Sequence, residues 1–221
     1  MAYAKTYYTN FSSLFSEEAI EAHLGEVPAE RQERIHTVKR LETRASLLAG
    51  GLMIREALKA SHGIENARIA IGENGKPYLP DYPEVHFNLT HSGTIAVCTV
   101  SDTECGVDIE QISKPHEIMA LANRFFSTKE LAAMLMSPNQ NEAFCRLWTL
   151  RESYVKMRGK GFSIGLSTLK CDFHRGICSI YESGILQQDA RFHEWKTVPD
   201  YRISVCTKGD AEHTIEKIQL V

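Results

Sequence analysis

The sequence lacks the features that mark secreted, membrane-spanning and nucleic-acid-binding proteins. Its first residues have no signal-peptide apolar core, and no apolar run is long enough to span a membrane. The 25 basic and 28 acidic residues give a formal net charge of −3, so bulk electrostatic binding to nucleic acid is not expected. None of the six cysteines forms a CxxC pair or a zinc-like cluster with histidine. We therefore expect a cytoplasmic protein with buried, reduced thiols.

Two common nucleotide-binding fingerprints are also absent. Neither GxxxxGKS/T nor GxGxxG occurs, which excludes a P-loop and a dinucleotide-binding turn. The 221 residues are 43% hydrophobic and 24% charged, as in an ordinary globular protein. A chain of this length forms one large domain or two lobes of about 100–110 residues each.

The predicted elements follow the order helix, then sheet, in the first half of the chain. Leu41, Ala45, Leu48 and Leu52 recur at helical spacing, so they predict a long amphipathic helix that stops at Gly63. Three β-like runs joined by short turns come next, and they predict antiparallel strands. These runs are residues 85–89, 95–100 and 105–109.

The second half of the chain repeats this order. Ser127 and Glu130 form a capping-box pattern that opens a short helix, and a long helix is predicted from about Glu142 to Met157. Five strand-like runs follow, at residues 169–173, 177–181, 193–198, 201–205 and 214–220. The predicted fold class is therefore α/β (α+β), with two similar lobes at residues 1–111 and 112–221. In each lobe a long helix packs on a mainly antiparallel sheet.

A pair of acidic residues stands at the end of the third β-like run. On a strand, Asp108 and Glu110 project from the same face, while Val107 and Ile109 pack on the other. The two carboxylates repel each other unless a cation lies between them, and Mg²⁺ prefers such oxygen ligands. The alternative is an exposed edge strand with two solvated acids, which these residues alone favour.

The long helix of the second half carries a third candidate acid. Glu152 and Lys156 are four residues apart, so they share one helix face. By itself this spacing favours a routine surface ion pair, worth a few tenths of a kcal/mol. The functional interpretation makes Glu152 a third metal ligand and Lys156 a phosphate contact or proton-handling group.

Two further basic residues lie at turns. His91 ends a predicted strand beside Thr90 and Ser92, and Lys76 follows Gly75 on a turn stiffened by Pro77. Side chains in such places are usually only solvated. Near acids and a phosphate, the histidine would instead donate hydrogen bonds to that phosphate.

Five collinear motifs resemble one protein family. They are GKPYL (75–79), FNLTHSG (87–93), GVDIE (106–110), RFFSTKE (124–130) and WTLRESYVKMRGKG (148–161). In order and spacing they resemble the larger, two-lobed 4′-phosphopantetheinyl transferases, of the surfactin-synthetase-activating type. The resemblance implies transfer of the phosphopantetheine arm of coenzyme A (CoA) to a serine of an apo acyl or peptidyl carrier protein, releasing adenosine 3′,5′-bisphosphate. It also implies a pseudodimer of two α/β lobes, with the active site at their interface.

The resemblance assigns roles to particular residues. Asp108, Glu110 and Glu152 would be the ligands of Mg²⁺, with Mn²⁺ as an alternative ion. Glu152, or a metal-bound water that it positions, would accept the serine proton, and Lys156 would steady the pyrophosphate or the attacking serine. The residues expected to bind CoA are Arg44, Lys76, Pro77, Thr90, His91, Asp108 and Lys156. Among these, Arg44 is chosen for the CoA 3′-phosphate from five basic residues, with Arg31, Arg34, Lys39 and Arg40, because it is nearest the apolar helix. A solvated helix face is an equal alternative for each of the five. Glu130 matches an acidic family position of unsettled role.

Two positions depart from the family pattern. Thr90 replaces a more usual serine and keeps the hydroxyl, so little change is expected. Arg151 stands where the family usually has lysine, and arginine does not give up its proton. A purely electrostatic role would survive this exchange, whereas a proton-transfer role would not. Arg151-Glu152-Ser153 resembles the subgroup that serves peptide and polyketide synthetases.

The expected protein partner is an acidic carrier protein. Its candidate docking segment is Ser113–Leu135, although core packing of its apolar residues is the favoured alternative. Two lobes in one chain favour a monomer. One competing function is another Mg²⁺-dependent phosphotransferase or a nuclease, for which a nucleotide motif or basic channel is missing. The other is a carrier-binding module without activity, which would not need the acids.

Overall fold

The computed structural model describes residues 2–112 and 118–221. The strands are β1 (Ala2–Asn10), β2 (Ala70–Ile71), β3 (Pro77–Tyr78), β4 (His86–Ser92), β5 (Ile95–Ser101), β6 (Cys105–Gln111), β7 (Leu169–His174), β8 (Ile177–Glu182), β9 (Ile185–Leu186), β10 (Ala190–Trp195), β11 (Tyr201–Lys208) and β12 (Ala211–Lys217). The α-helices are α1 (Glu17–His23), α2 (Ala29–Thr37), α3 (Leu41–His62), α4 (Ile118–Phe125), α5 (Thr128–Leu135) and α6 (Gln140–Arg158). Within these two ranges, no helix combines the length and apolar composition that a membrane crossing requires.

The helix ends follow their local capping chemistry. Helix α3 ends at Gly63 and α6 at Gly159, and both glycines adopt the left-handed conformation, with φ of 68° and 62°. The capping box predicted at Ser127 and Glu130 is present at the start of α5. The prediction of α3 is confirmed, because Ala45, Leu48 and Leu52 are fully buried on one face.

Two main sheets face each other. Strands β12, β1, β5 and β4 form the first sheet, in that order, and β10, β11 and β6 form the second. Neighbouring strands are antiparallel except for the parallel pair β1 and β12. Apolar side chains of both sheets meet between them, including Val97, Val107, Ile109 and Val205. The sheets therefore share one buried core along their inner faces.

A long helix covers the outer face of each sheet. Helix α3 packs on Ala96, Cys98 and Val100 of β5, and α6 packs on the face of β6 and β11 that includes Cys206. A small sheet of β7, β8 and β9 and the helices α4 and α5 complete the second core. The resulting layers are helix, sheet, sheet and helix. The predicted mixture of long helices on mainly antiparallel sheets is confirmed.

Two strands pair outside their own half of the chain. Strand β6 lies in the first half of the sequence but pairs with β11, and β12 crosses back to pair with β1. The division into lobes at residues 111 and 112 remains a prediction. The pairing adds that each half lends a strand to the sheet of the other.

Several predicted boundaries shift. Strands β10 and β12 each begin three residues before the predicted runs at 193–198 and 214–220. The connector predicted at residues 112–115 and the start of the helix predicted at residues 117–124 fall partly outside the described residues, and α4 is described from Ile118. All six cysteines are buried and free of disulfides, as expected for reduced thiols.

Candidate active site

Helix α6 lies directly on strand β6 at Gly106. A Cβ atom at this glycine would be 2.1 Å from the carbonyl oxygen of Ser153 and 2.3 Å from the backbone nitrogen of Met157. Only glycine permits so close an approach of two backbones. This contact holds the Glu152–Lys156 turn of α6 over the acidic end of β6.

Asp108 is the buried centre of this contact, with 5% of its surface exposed. Its Oδ1 accepts hydrogen bonds from Nζ of Lys156 at 2.6 Å and from Oγ1 of Thr90 at 3.2 Å. Its Oδ2 is buried and has no hydrogen-bond partner in the structure. Burial raises the pKa of Asp108, against the opposing effect of Lys156 and Thr90. A buried carboxylate oxygen without a donor indicates a place for a ligand or an ion.

Glu152 lies close enough to both Asp108 and Glu110 to interact with them electrostatically. Burial raises the pKa of Glu152, and the negative charges of Asp108 and Glu110 raise it further, while Lys156 lowers it. Oε2 of Glu110 accepts a hydrogen bond from Oγ of Ser92 at 3.1 Å. Among the described residues, no three acidic, histidine or cysteine side chains already converge as a metal site.

Strand β4 contacts the free edge of β6 through a row of polar side chains. Alternate residues share one face of a strand, and here these are Asn88, Thr90 and Ser92. Oδ1 of Asn88 accepts from the backbone nitrogen of Val107 at 2.9 Å, and Oγ of Ser92 accepts from that of Gln111 at 3.2 Å. We call these three side chains the β4 polar row. Asn88 and Ser92 satisfy backbone donors that an edge strand leaves unpaired, whereas the Thr90 hydroxyl donates to Asp108.

Two lysines satisfy carbonyl groups of the same edge. Nζ of Lys76 donates to the carbonyl oxygens of Cys105 and Met157 at 3.0 and 2.9 Å, so it ties β6 to the last turn of α6. Nζ of Lys156 donates to the carbonyl oxygen of Val107 at 3.3 Å. Burial lowers the pKa of Lys76. Lys76 is predicted to contact a phosphate, and in the structure its ammonium group already donates to two backbone carbonyls.

A cavity of about 250 Å³ opens beside these groups. Lys76, Pro77, Glu152 and Lys156 line it together with Asn88 and apolar residues that include Leu166. The structure therefore brings together four of the predicted residues, two from each of two separate motifs. It combines a carboxylate, two ammonium groups and an apolar wall in one recess.

Comparison with known proteins gives the family of this chain. Residues 104–206 match the 4′-phosphopantetheinyl transferase superfamily, and residues 15–103 match the N-terminal region of 4′-phosphopantetheinyl transferases. A 4′-phosphopantetheinyl transferase of Bacillus subtilis is 38% identical over 68% of this chain and 70% of the relative. The chain belongs to the 4′-phosphopantetheinyl transferase family.

Longer alignments support the same assignment. The transferase Sfp of Bacillus subtilis (strain 168) is 28% identical over 86% of both chains. The transferase psf-1 of Bacillus pumilus is 33% identical over 78% of this chain and 76% of its own. The predicted resemblance to the larger, two-lobed type is confirmed, and so is the prediction that the chain is a transferase enzyme.

In this transferase, Arg151 and Glu130 form a buried ion pair. Nη2 of Arg151 donates to Oε1 of Glu130 at 2.6 Å, and the guanidinium also lies over the Phe126 ring. Glu130 accepts further hydrogen bonds from Ser127 and from the backbone nitrogen of Cys171. Arg151 therefore anchors α6 to α5 and β7. These contacts give Glu130 and the lysine-to-arginine departure a structural explanation.

The guanidinium group of Arg44 is already paired. It binds Glu17 and Glu21 of α1, and only 12% of its side chain is exposed. Its role at a phosphate remains a prediction, but two acids neutralise its charge in the structure. The choice of Arg44 from its position in the sequence did not foresee the carboxylates of α1.

Arg31, another of the five basic candidates, has different neighbours from Arg44. Within the described residues it has no acidic partner, and its Nη1 donates to the carbonyl oxygen of Leu47 at 3.0 Å. Gly50 of α3 lies between Arg31 and β4. A Cβ atom at this glycine would be 3.4 Å from Nη1 of Arg31 and 3.0 Å from a methyl carbon of Leu89, so Arg31 lies near β4. Leu89 and His91 share the face of β4 opposite Thr90, and His91 is exposed with its ring beside Phe11. This face therefore carries two basic groups.

Sequence reasoning missed two members of the β4 polar row, Asn88 and Ser92. Their signal is the alternation of polar residues with Phe87, Leu89 and His91 along one strand. A solvated strand face gives the same alternation. Only the approach of β6 distinguishes the two cases.

Proposed function

We propose that this transferase moves the 4′-phosphopantetheine arm of CoA to a serine of an apo acyl or peptidyl carrier protein. The proposed reaction depends on Mg²⁺ and releases adenosine 3′,5′-bisphosphate. The observation that carries the proposal is the buried, unpartnered Oδ2 of Asp108, beside Glu152 and Lys156 at the cavity.

The acids suit a hard cation. Asp108, Glu110 and Glu152 would hold Mg²⁺, or Mn²⁺, because these ions take carboxylate oxygens as ligands. The buried Oδ2 of Asp108, which has no hydrogen-bond partner in the structure, supports this assignment. When bound, the ion would neutralise pyrophosphate charge during the transfer.

The side chains of the cavity provide the remaining chemistry. The Glu152 carboxylate lines the cavity and is the proposed proton acceptor. It would take the proton of the carrier serine as the serine oxygen bonds to the phosphorus of the phosphopantetheine group. The bond from that phosphorus to the adenosine bisphosphate oxygen would break. Lys156 would hold the phosphate oxygens for this displacement.

The binding of CoA is proposed on both sides of β4. The cavity beside Lys76, Pro77 and Lys156 would take the phosphate-bearing part of the molecule, and Thr90 binds the ammonium group of Lys156 there. The 3′-phosphate would lie on the opposite face, near His91. There Arg31 replaces Arg44 as the proposed contact, because Arg31 is partly buried without an acidic partner whereas Arg44 is paired twice.

The carrier protein is proposed to dock on the exposed face of α4 and α5. Met119 and Arg124 of α4 and Met136 at the end of α5 are exposed, Lys129 is exposed and pairs with Asp172 of β7, and the one acid of residues 118–136, Glu130, is buried in its ion pair. An apolar face with basic residues is complementary to an acidic partner. Met134 and Phe126 of the predicted segment are instead buried in the core, and residues 113–117 lie outside the described residues. A monomeric, cytoplasmic enzyme remains our prediction.

Mass spectrometry of a carrier protein tests this proposal. An apo carrier protein incubated with CoA, Mg²⁺ and the transferase should gain the mass of one phosphopantetheine group. Omission of the metal with added chelator should prevent the gain. An unchanged mass across acyl and peptidyl carriers would contradict the proposed function.

A further inference from the structure

We infer that Ser92 is a positioning residue that orients the Glu110 carboxylate toward the bound metal. The inference rests on the proposed function, since it assumes that Glu110 is a ligand. Ser92 is the last residue of β4 and is buried, with 6% of its surface exposed. Its hydroxyl group donates to Oε2 of Glu110 and accepts from the backbone nitrogen of Gln111.

These two hydrogen bonds fix the hydroxyl group from both sides. The backbone donor of Gln111 determines where the oxygen lone pair points, so the hydroxyl proton is directed at Glu110. The distances are 3.2 Å to the nitrogen and 3.1 Å to the carboxylate oxygen. Rotation of the hydroxyl away from Glu110 would leave that carboxylate without this donor.

On the side of β6 that faces β4, the described strand pairings include no backbone hydrogen bonds. The end of β6 is therefore held by such side-chain contacts. Strands β4 and β6 belong to different sheets, and the described strand pairings include none between them. Asn88 fixes the start of the edge at Val107, and Ser92 fixes its end at Gln111. Glu110 lies immediately before that second point and is partly exposed. The Ser92 hydroxyl is therefore placed where it can orient this carboxylate.

Arg202 is a second neighbour of Glu110. It stands opposite Glu110 in the register of β11 and β6, so the two side chains share a face. The guanidinium of Arg202 forms an ion pair with Glu142. Ser92 thus supplies a neutral donor on the other side of the strand. Groups that orient metal ligands in this way typically change metal affinity by about 10–100-fold when removed.

The test measures metal binding apart from turnover. Mn²⁺ is titrated into the full-length protein with CoA present, and free Mn²⁺ is followed by electron paramagnetic resonance. Ser92→Ala should weaken Mn²⁺ binding by about 10–100-fold. Ser92→Thr keeps the hydroxyl and should restore binding to within about threefold of the wild type. Ser92→Cys keeps the volume with a weak donor and should bind Mn²⁺ as poorly as the alanine variant.

Ser101→Ala is the matched control. Ser101 is also a buried serine that donates once, to the carbonyl oxygen of Tyr3, and accepts once, from the backbone nitrogen of Thr103. It lies at the far end of β5 from Ser92, since His86 rather than Ser92 is its register partner. Its loss should lower the melting temperature and leave Mn²⁺ affinity unchanged.

A double-mutant cycle separates positioning from general damage. If Ser92 acts through Glu110, Ser92→Ala should cause no further loss of Mn²⁺ affinity in a Glu110→Gln background. Wild-type Mn²⁺ affinity in Ser92→Ala, or an equal further loss without Glu110, would overturn the inference. Failure of phosphopantetheine transfer by the wild-type protein would instead count against the proposed function, because the Mn²⁺ titration does not require turnover.

Discussion

Gly106→Ala tests whether the contact of α6 with β6 sets the geometry of the active site. The added Cβ would lie 2.1 Å from the Ser153 carbonyl oxygen and 2.3 Å from the Met157 nitrogen. Both obstacles are backbone atoms, so no side-chain rotation relieves the overlap. Ordinary contact begins near 3.4 Å, and α6 must therefore retreat by about 1 Å. Lys156, now 2.6 Å from Asp108, lies on the part of α6 that must move.

The expected loss of activity follows from that displacement. A misplacement of about 1 Å can cost about 100-fold in rate, so transfer should fall by about two orders of magnitude. Overpacking of this kind costs about 1–3 kcal/mol of stability, which lowers the melting temperature of a chain of this size by about 3–10 °C. Initial rates of carrier-protein modification and differential scanning calorimetry measure the two effects.

Gly25→Ala is the matched control for this experiment. A Cβ at Gly25 meets no atom within 4 Å, so its rate and melting temperature should stay close to those of the wild type. A Gly106→Ala variant with activity within about twofold of the control would refute the reasoning. It would mean that the site tolerates movement of α6, or that the close approach is absent in solution.

Three further predictions concern the buried ion pair, the proposed 3′-phosphate contact and a partly buried histidine. Glu130→Gln leaves Arg151 buried without its charge partner, so calorimetry should show a loss of about 3–5 kcal/mol; an unchanged melting temperature would contradict the anchoring role. Arg31→Ala should raise the KM for CoA about tenfold in steady-state kinetics, because a charged contact is lost. Arg44→Ala should mainly lower stability, because it removes the ion pairs with α1. The opposite pattern would restore the choice of Arg44. Burial and the neighbouring His193 lower the pKa of His213 to about 4, so the unfolded chain binds more protons below about pH 6.5. The free energy of unfolding should therefore fall by about 1–2 kcal/mol, after allowance for partial exposure, as the pH drops from 6.5 to about 4, and it should level off below that pH. Urea unfolding of His213→Phe should lack this part of the pH dependence.

Local chemistry made the helices predictable. The spacing of Leu48 and Leu52 defined the buried face of α3, and the glycines at 63 and 159 defined where the long helices end. Each of these signals lies within a few residues of the structure that it determines. The capping box at Ser127 is of the same kind.

Long-range pairing could not be obtained in the same way. Strand β12 pairs with β1 across almost the whole chain, and β6 pairs with β11 across nearly half of it. No local pattern records which distant edge a strand will meet. The shifted starts of β10 and β12 have a related cause, because both are edge strands that carry charged residues such as Arg191 and Glu212. Such residues resemble a turn when the sequence is considered alone.

In the candidate site too, local motifs revealed some residues and only the folded structure revealed others. Motifs identified Asp108, Glu152 and Lys156, and the structure brings them together at one contact of α6 with β6. The pairing of Arg44 with α1 and the role of Ser92 depend on neighbours distant in sequence, so the motifs did not contain them.

Transfer by Asp108→Ala is the measurement that tests the central claim most directly. The substitution removes the orphaned Oδ2 and leaves Lys156 with Thr90 and the Val107 carbonyl as partners, so the fold should persist. Intact-mass spectrometry should show a carrier protein that gains phosphopantetheine with the wild type and remains unmodified with the variant. Near-normal modification by a folded Asp108→Ala protein would contradict a metal-dependent site built around Asp108.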